Sequence, residues 1–368
     1  MKDLLRLLAL SNLIKFLLVQ LLCYALFNQN THAAWWETQT KEPEVPITYR
    51  RDVVIAVIDT GIDLNHPSLK EALWNNPGET GIDQDGNDRS SNGIDDDNNG
   101  YVDDVHGWDF TTQTNQPNDE HGHGTHIAGI IAARPNLAGY KGVAPNAKLM
   151  ILKYFGSSDS HLDFTIKAFE YAVKMKADII NYSGGGYRPS ALERKWVIEA
   201  QKKGILVVAA AGNDGSNMDR RGFYPASYGL NNIVSVASIN QHNRLSKSSN
   251  FGARKVDLAA PGEGILSTTP GGGFGLMSGT SQATAFVSGL AAKLISSSEV
   301  KPKAMEVAQH IRQTLQKTSS LDNKLRHPGQ INVSRSLKMR NHKLNRKPAE
   351  FYPDRLIKSL SENKEVLN

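Results

Sequence analysis

Apolar residues along this chain fall into two alternating patterns. Val53 to Asp59, VVIAVID, is an unbroken, β-branched run, as expected of a strand buried on both faces. AKLMILKYF, ADIINYS, GILVVAAAG and NIVSVASI repeat that character. Stretches with helical spacing lie between them. Asp163 to Lys176, DFTIKAFEYAVKMK, puts Phe164, Ala168, Tyr171, Ala172 and Met175 on one face. ALERKWVIEAQKK follows the next strand, and Gly204 stands where a helix should stop. Strand–helix alternation predicts an α/β fold of three layers, a mostly parallel twisted sheet with helices on both faces. Such sheets carry their sites beyond the carboxyl ends of the strands, so the residues that follow each strand matter most.

Asp59 ends the first strand. Asn213 follows the strand that ends near Val208, in AAAGND. After VDLAAPG and a glycine-rich loop, SGTSQATAFVSGLAAKLISS reads as a long helix of small and apolar residues opened by Ser281. A helix start offers unpaired N–H groups and a positive dipole end, which suits a hydroxyl beside a developing negative charge. Three histidines, His121, His123 and His126, sit in HGHGTHIAG at the head of another apolar segment. They lack the i, i+4 pair of a zinc helix. An Asp, a His and a Ser, each at an element end, form a possible nucleophilic triad. Taken singly, Asp59 and Asn213 are ordinary turn residues and Ser281 an ordinary helix cap.

Seven blocks resemble those of the subtilisin-like serine proteases, the subtilases: VIDTGID, HGHGTHIAG, GVAPNAKLMILKYF, IINYSGGG, VVAAAGND, VDLAAPG and SGTSQATA. They occur in that family's order, from Val53 to Ser298, with a weaker match through GQINV. The resemblance implies that Asp59, His123 and Ser281 are the catalytic triad and that Asn213 assists the oxyanion hole. His126 is then structural and His121 a flanking surface residue. It implies an endopeptidase acting on polypeptides, with Ser183, Gly184, Gly185, Ala210, Ala211 and Gly212 walling the pocket for the residue before the cut. Phe223, just before Tyr224-Pro225, would floor it; a bulky floor shortens a pocket and favours medium apolar side chains. Gly184 replaces a commonly larger residue, which should loosen one wall. Ser278 and Ala285 stand where Asn and Pro are usual. An esterase of the α/β-hydrolase kind is disfavoured, because no GxSxG surrounds Ser281. The alternative of another class is a catalytically impaired subtilase-fold binding protein.

One segment adds a cofactor. Eight aspartates lie between residues 83 and 104, with Arg89 the only basic residue. Asp95, Asp97, Asn99 and Asp103, with Gly100 among them, have the first ligand spacings of a calcium loop. His106 stands where that loop would place its glutamate. A structural calcium site is the expectation, and ordinary solvated turn chemistry is the competing one.

Composition changes the picture only at the ends. The net charge is +5, but residues 1–33 carry +2 and residues 338–368 carry +4, leaving the body near neutral. That leaves no footprint for nucleic acid. Lys2 and Arg6, the apolar run Phe16 to Phe27, and Thr31-His32-Ala33 form the pattern of an export signal. The expected organisation is a signal peptide (1–33), a short N-terminal segment (34–51), a catalytic domain (52–338) and a basic tail (339–368). The segment 34–51 is too short for a folding prodomain. The only cysteine, Cys23, lies in the signal, so an exported chain would have no disulfides. The expectation is a periplasmic or extracellular monomer, touching a membrane only through an uncleaved signal segment.

Overall fold

The computed structural model describes residues 35–44, 47–136, 139–156 and 162–340. Residues 1–33, expected to be a signal, and nearly all of the tail expected over 339–368 lie outside the described residues. Seven strands form the body of one sheet: β1 (Val54–Asp59), β2 (Gly107–Asp109), β3 (Lys148–Lys153), β4 (Ile179–Tyr182), β5 (Leu206–Ala210), β6 (Ile233–Ile239) and β7 (Leu258–Pro261). Two short strands, β10 (Gln316–Lys317) and β11 (Gly329–Gln330), extend it to nine in the order 10-11-7-6-5-4-1-3-2. Every pairing in it is parallel except β10 with β11.

The unbroken apolar runs follow from this architecture. Successive side chains of a strand point to opposite faces, and here each face meets a separate core. Ile55, Val57, Leu149 and Ile151 enter one core, with α2 (His123–Ala132), α5 (Thr280–Ser297), α6 (Ala304–Gln313) and α7 (Val333–Lys338). Ala56, Ile58, Met150 and Leu152 enter the other, with α3 (Leu162–Lys174) and α4 (Ala191–Lys203). A polar residue at either parity loses its water and needs a partner built in, as the Ser288 hydroxyl is for Asn181 of β4 at 2.8 Å. The α3 face forms as its spacing predicts, with Ala168, Tyr171 and Ala172 buried. Gly204 ends α4 in the left-handed region at φ 76°, and its N–H caps the last carbonyls.

Two parts of the sequence reading change. The glycine-rich loop before Ser281 is a hairpin, β8 (Ile265–Thr269) with β9 (Gly273–Met277). Gly271 and Gly272 turn it at φ 81° and 77°. The glycines that obscured the strand pattern are those the turn requires. The segment before residue 52 also belongs to the fold. After a single turn of helix, α1 (Glu37–Thr40), it runs along α5. Trp35, Trp36 and Ile47 pack on the core, and Arg50 N–H donates to the Ser296 carbonyl at 2.8 Å. Buried Lys293 of α5 pairs with the Glu42 carboxylate and donates to Tyr49 Oη at 2.9 Å.

Candidate active site

Asp59 is the last residue of β1, and His123 is the first of α2. Two glycines let these elements approach closely. A Cβ on Gly124 would stand 2.0 Å from the Gly61 carbonyl, and one on Gly61 2.5 Å from the Pro117 carbonyl. Backbone therefore packs directly on backbone, and His123 Nδ1 comes within 2.6 Å of Asp59 Oδ1. Asp59 Oδ1 also accepts the Thr60 N–H at 2.8 Å. The carboxylate is buried and the imidazole only partly so. Burial pulls the imidazolium pKa down, but the charge and hydrogen bond of Asp59 outweigh it, and His123 sits above its ordinary value.

A second aspartate holds this loop. Asp119 Oδ1 accepts from Thr60 Oγ1 (2.8 Å), His121 N–H (3.0 Å) and Gly122 N–H (2.8 Å). Its Oδ2 accepts from the N–H and hydroxyl of Thr125, at 2.9 and 2.6 Å. Gly122, the N-cap, has no side chain to satisfy the first turn of α2, so Asp119 does so from three residues upstream. Asp119 is a residue that the motifs in the sequence do not single out. Its acid-to-helix-start spacing was the available signal.

His126 is fully buried, and its Nε2 reaches the carbonyls of Ile265 and Gly275 on the hairpin at 3.0 and 3.1 Å. Burial lowers its pKa to about 4, so it stays neutral and fastens α2 to the hairpin. His121 is exposed and lies edge-on to Phe155 and His123.

Ser281 is the second residue of α5 and nearly buried. Its Oγ donates to the Ser183 carbonyl at 3.0 Å, and Ser183 Oγ donates to the Ser281 carbonyl at 3.3 Å. Ser183 follows Tyr182, whose register partner in β1 is Ile58, the residue before Asp59. Neighbouring strands lie roughly 4.8 Å apart, so Ser183, whose carbonyl the Ser281 hydroxyl touches, stands about one strand away from Asp59. Asn213 lies beyond β5. Its Oδ1 accepts from Thr280 N–H (2.9 Å) and Thr280 Oγ1 (3.1 Å). These bonds fix the amide at the start of α5, with Thr280 Oγ1 braced by the Gly212 N–H at 3.2 Å.

The residues expected to wall the pocket stand at the same rim. Ser183 to Gly185 follow β4, while Ala210 ends β5 and Ala211 and Gly212 follow it. Between the two segments lies the Phe223 ring. A Cβ on Gly185 would meet it at 2.4 Å and one on Gly212 at 3.2 Å. Tyr187 packs edge-on against the same ring at 5.2 Å. Gly184 does not loosen a wall: a Cβ there would stand 2.2 Å from the Tyr154 hydroxyl, which fills that space.

The acidic insertion divides the four residues expected to bind calcium. Asp95 accepts the N–H groups of Asn99 (3.1 Å) and Gly100 (2.8 Å). Asp103 accepts the Gly93 N–H at 3.2 Å through both oxygens. Asn99 Oδ1 accepts the Tyr101 N–H at 2.8 Å. These three close turns of the insertion. Asp97 also closes a turn, its Oδ1 accepting the Asn99 N–H at 3.0 Å, but it alone of the four joins Glu79 and Asp104, with carboxylate oxygens within 4.8 Å of one another. Local spacing could not reveal Glu79, which lies before the aspartate-rich run.

The chain belongs to the subtilase family, whose model matches residues 50–345, and is a serine-type endopeptidase. It is 37% identical over 274 residues to the major intracellular serine protease of Bacillus subtilis (strain 168), covering 72% of this chain and 76% of that protein. Subtilisin E of the same organism is 36% identical over 248 residues, covering 67% of this chain and 56% of that one. Among solved structures, a cold-adapted subtilisin-like serine proteinase shares the fold. Its TM-score is 0.63 at 24% identity, covering 82% of this chain and 99% of its own.

Proposed function

We propose that this chain is an exported endopeptidase that cleaves polypeptides through Asp59, His123 and Ser281. The contact of 2.6 Å between His123 Nδ1 and Asp59 Oδ1 carries the reading. A free serine hydroxyl is a poor nucleophile and needs a base. Ser281 Oγ turns from the Ser183 carbonyl towards His123 Nε2, which takes its proton as the oxygen attacks the scissile carbonyl. Asp59 holds the proton on Nδ1 and stabilises the imidazolium. Oxyanion charge is met by the Asn213 Nδ2 amide and the Ser281 N–H at the start of α5. The amine leaves with the proton from His123, and water repeats the sequence on the acyl-enzyme.

The Phe223 ring supports a narrower specificity than the sequence implied. With the ring between Gly185 and Gly212, small side chains fit best before the cut. Calcium, held by the acidic insertion, is the cofactor of this reading. Export rests on Lys2, Arg6 and the run Phe16 to Phe27. Recovery of a secreted chain beginning near Ala34 supports export, and a cytosolic chain retaining Met1 overturns it.

The catalytic reading is tested by Ser281→Ala. The wild-type protein should hydrolyse casein and react covalently with a sulfonyl fluoride, and the variant should do neither. A variant with undiminished hydrolysis would remove Ser281 from the mechanism.

A further inference from the structure

Among the buried polar groups outside the catalytic rim, Glu79 is the least explained. It is fully buried. Its Oε1 accepts the N–H groups of Asp96 (2.9 Å) and Asp97 (3.3 Å). Its Oε2 has no partner, although a buried carboxylate oxygen without one is costly. Asp97 and fully buried Asp104 bring their own carboxylates to it. Among the described residues, no lysine or arginine pairs with any of the three. The other partners are neutral. Asn76 Nδ2 donates to Asp97 Oδ2 (3.0 Å) and Asp104 Oδ1 (2.7 Å), the Asn99 N–H to Asp97 Oδ1 (3.0 Å), Asn99 Nδ2 to Asp104 Oδ2 (2.9 Å), and the Tyr171 hydroxyl to that same oxygen (2.5 Å). Gly78 allows the chain before Glu79 to lie against Asp97, since a Cβ there would meet that side chain at 2.4 Å.

Three carboxylates held together without a cation repel one another, and neutral donors offset only part of that. The donor set is all oxygen, which suits a hard divalent ion that takes six to eight oxygen ligands. We propose that Glu79, Asp97 and Asp104 are the protein ligands of a calcium ion that fastens the acidic insertion to the catalytic body. This rests on reading the insertion as a calcium site and is independent of the catalytic assignment. It moves the site away from Asp95 and Asp103, whose carboxylates accept turn N–H groups, and leaves Asn99 as a donor to Asp104 whose own oxygen is taken by the Tyr101 N–H. The fastening has a physical route. Asp104 is hydrogen-bonded to Tyr171 of α3, and Asn76 N–H donates to the Val105 carbonyl at 2.7 Å. The ion would thus join the chain before the insertion, the insertion and a core helix.

The test uses full-length protein carrying Ser281→Ala to prevent self-digestion, stripped with a chelator and titrated with calcium chloride in a calorimeter. Glu79→Gln and Asp104→Asn should weaken binding at least about 10²-fold. Asp95→Asn and Asp103→Asn should change it by less than about tenfold. Thermal unfolding gives a second readout with opposite signs. If calcium binds here, Glu79→Gln lowers the midpoint in calcium; without an ion, removing one of three crowded charges raises it. Should either ligand variant fail to fold, terbium chloride titrated into the parent protein gives luminescence excited through Tyr101, Tyr171 and Trp108, and calcium displaces it. Unchanged calcium affinity in Glu79→Gln, a raised midpoint in calcium, or the absence of excited terbium emission would each overturn the assignment.

Discussion

Gly124→Ala tests how the carboxylate and imidazole are held in register. The new Cβ would stand 2.0 Å from the Gly61 carbonyl and 3.2 Å from Asp59 Oδ1. Comfortable contact is roughly 3.5 Å, so α2 or the turn after β1 must retreat by on the order of 1 Å in a close-packed interior. The turn has little room, because Gly61 at φ 98° already abuts the carbonyls of Pro117 and Asn118. Retreat of α2 opens the His123–Asp59 contact from 2.6 Å to about 3.5 Å, outside hydrogen-bond range. Helix propensity alone favours alanine by ~1 kcal/mol, so loss of helix is not the cause of failure. A misplacement of this size costs on the order of 10²-fold in rate. The assay is kcat and KM on a chromogenic peptide, with near-ultraviolet circular dichroism as a check on packing. We expect kcat to fall about 10²-fold with KM little changed, because the pocket segments after β4 and β5 do not move. Wild-type kcat would refute the reasoning, as would a fall accompanied by loss of the near-ultraviolet signal.

Three further outcomes are expected. His123 must lose its proton before it can act as a base, and its pKa is raised above that of free imidazole. The acid limb of kcat/KM should therefore lie above about 6.5, and Asp59→Asn should move it down; a limb below 6 in the wild type contradicts this. Phe223→Gly should vacate the space between Gly185 and Gly212 and raise kcat/KM for peptides with Phe or Leu before the cut by at least tenfold relative to Ala, on the order of 1–3 kcal/mol of pocket contact; an unchanged ratio places the ring outside the pocket. Glu42→Ala leaves the Lys293 ammonium buried without its counter-ion. Because Glu42 is itself about one-third exposed, the loss should be nearer 2 kcal/mol than the upper values for buried pairs. Thermal unfolding should show a drop of several degrees, and adding Lys293→Met should recover part of it.

The last of these concerns a segment whose role the sequence did not disclose. Residues 34–51 read only as too short for a folding prodomain. Their indole and carboxylate partners, Glu263, whose carbonyl accepts from Trp35 Nε1, and Lys293, lie more than two hundred positions away. No local pattern marks such contacts.

What the sequence determined was the central strands of the sheet, helices α3, α4 and α5, and which residues stand at the strand and helix ends of the rim. Strands buried on both faces need unbroken apolar runs, and helices with one buried face need a 3.6-residue period; both requirements are local and therefore legible. The residues proposed as the triad were legible for another reason. They sit at element ends, inside blocks whose order resembles that of a family. Tertiary structure decided what depends on distant neighbours. Asp119 caps α2 in place of a side chain Gly122 lacks, Tyr154 fills the space beside Gly184, and the Phe223 ring lies between two glycines from different loops. The acidic insertion shows the same division most plainly. Spacing within it pointed to Asp95, Asp97, Asn99 and Asp103, each with an oxygen that accepts a nearby N–H, whereas the oxygen left unpaired belongs to Glu79, brought in from outside the run. Spacing reports which groups can reach one another along a turn; only packing decides which buried oxygen is left without a partner.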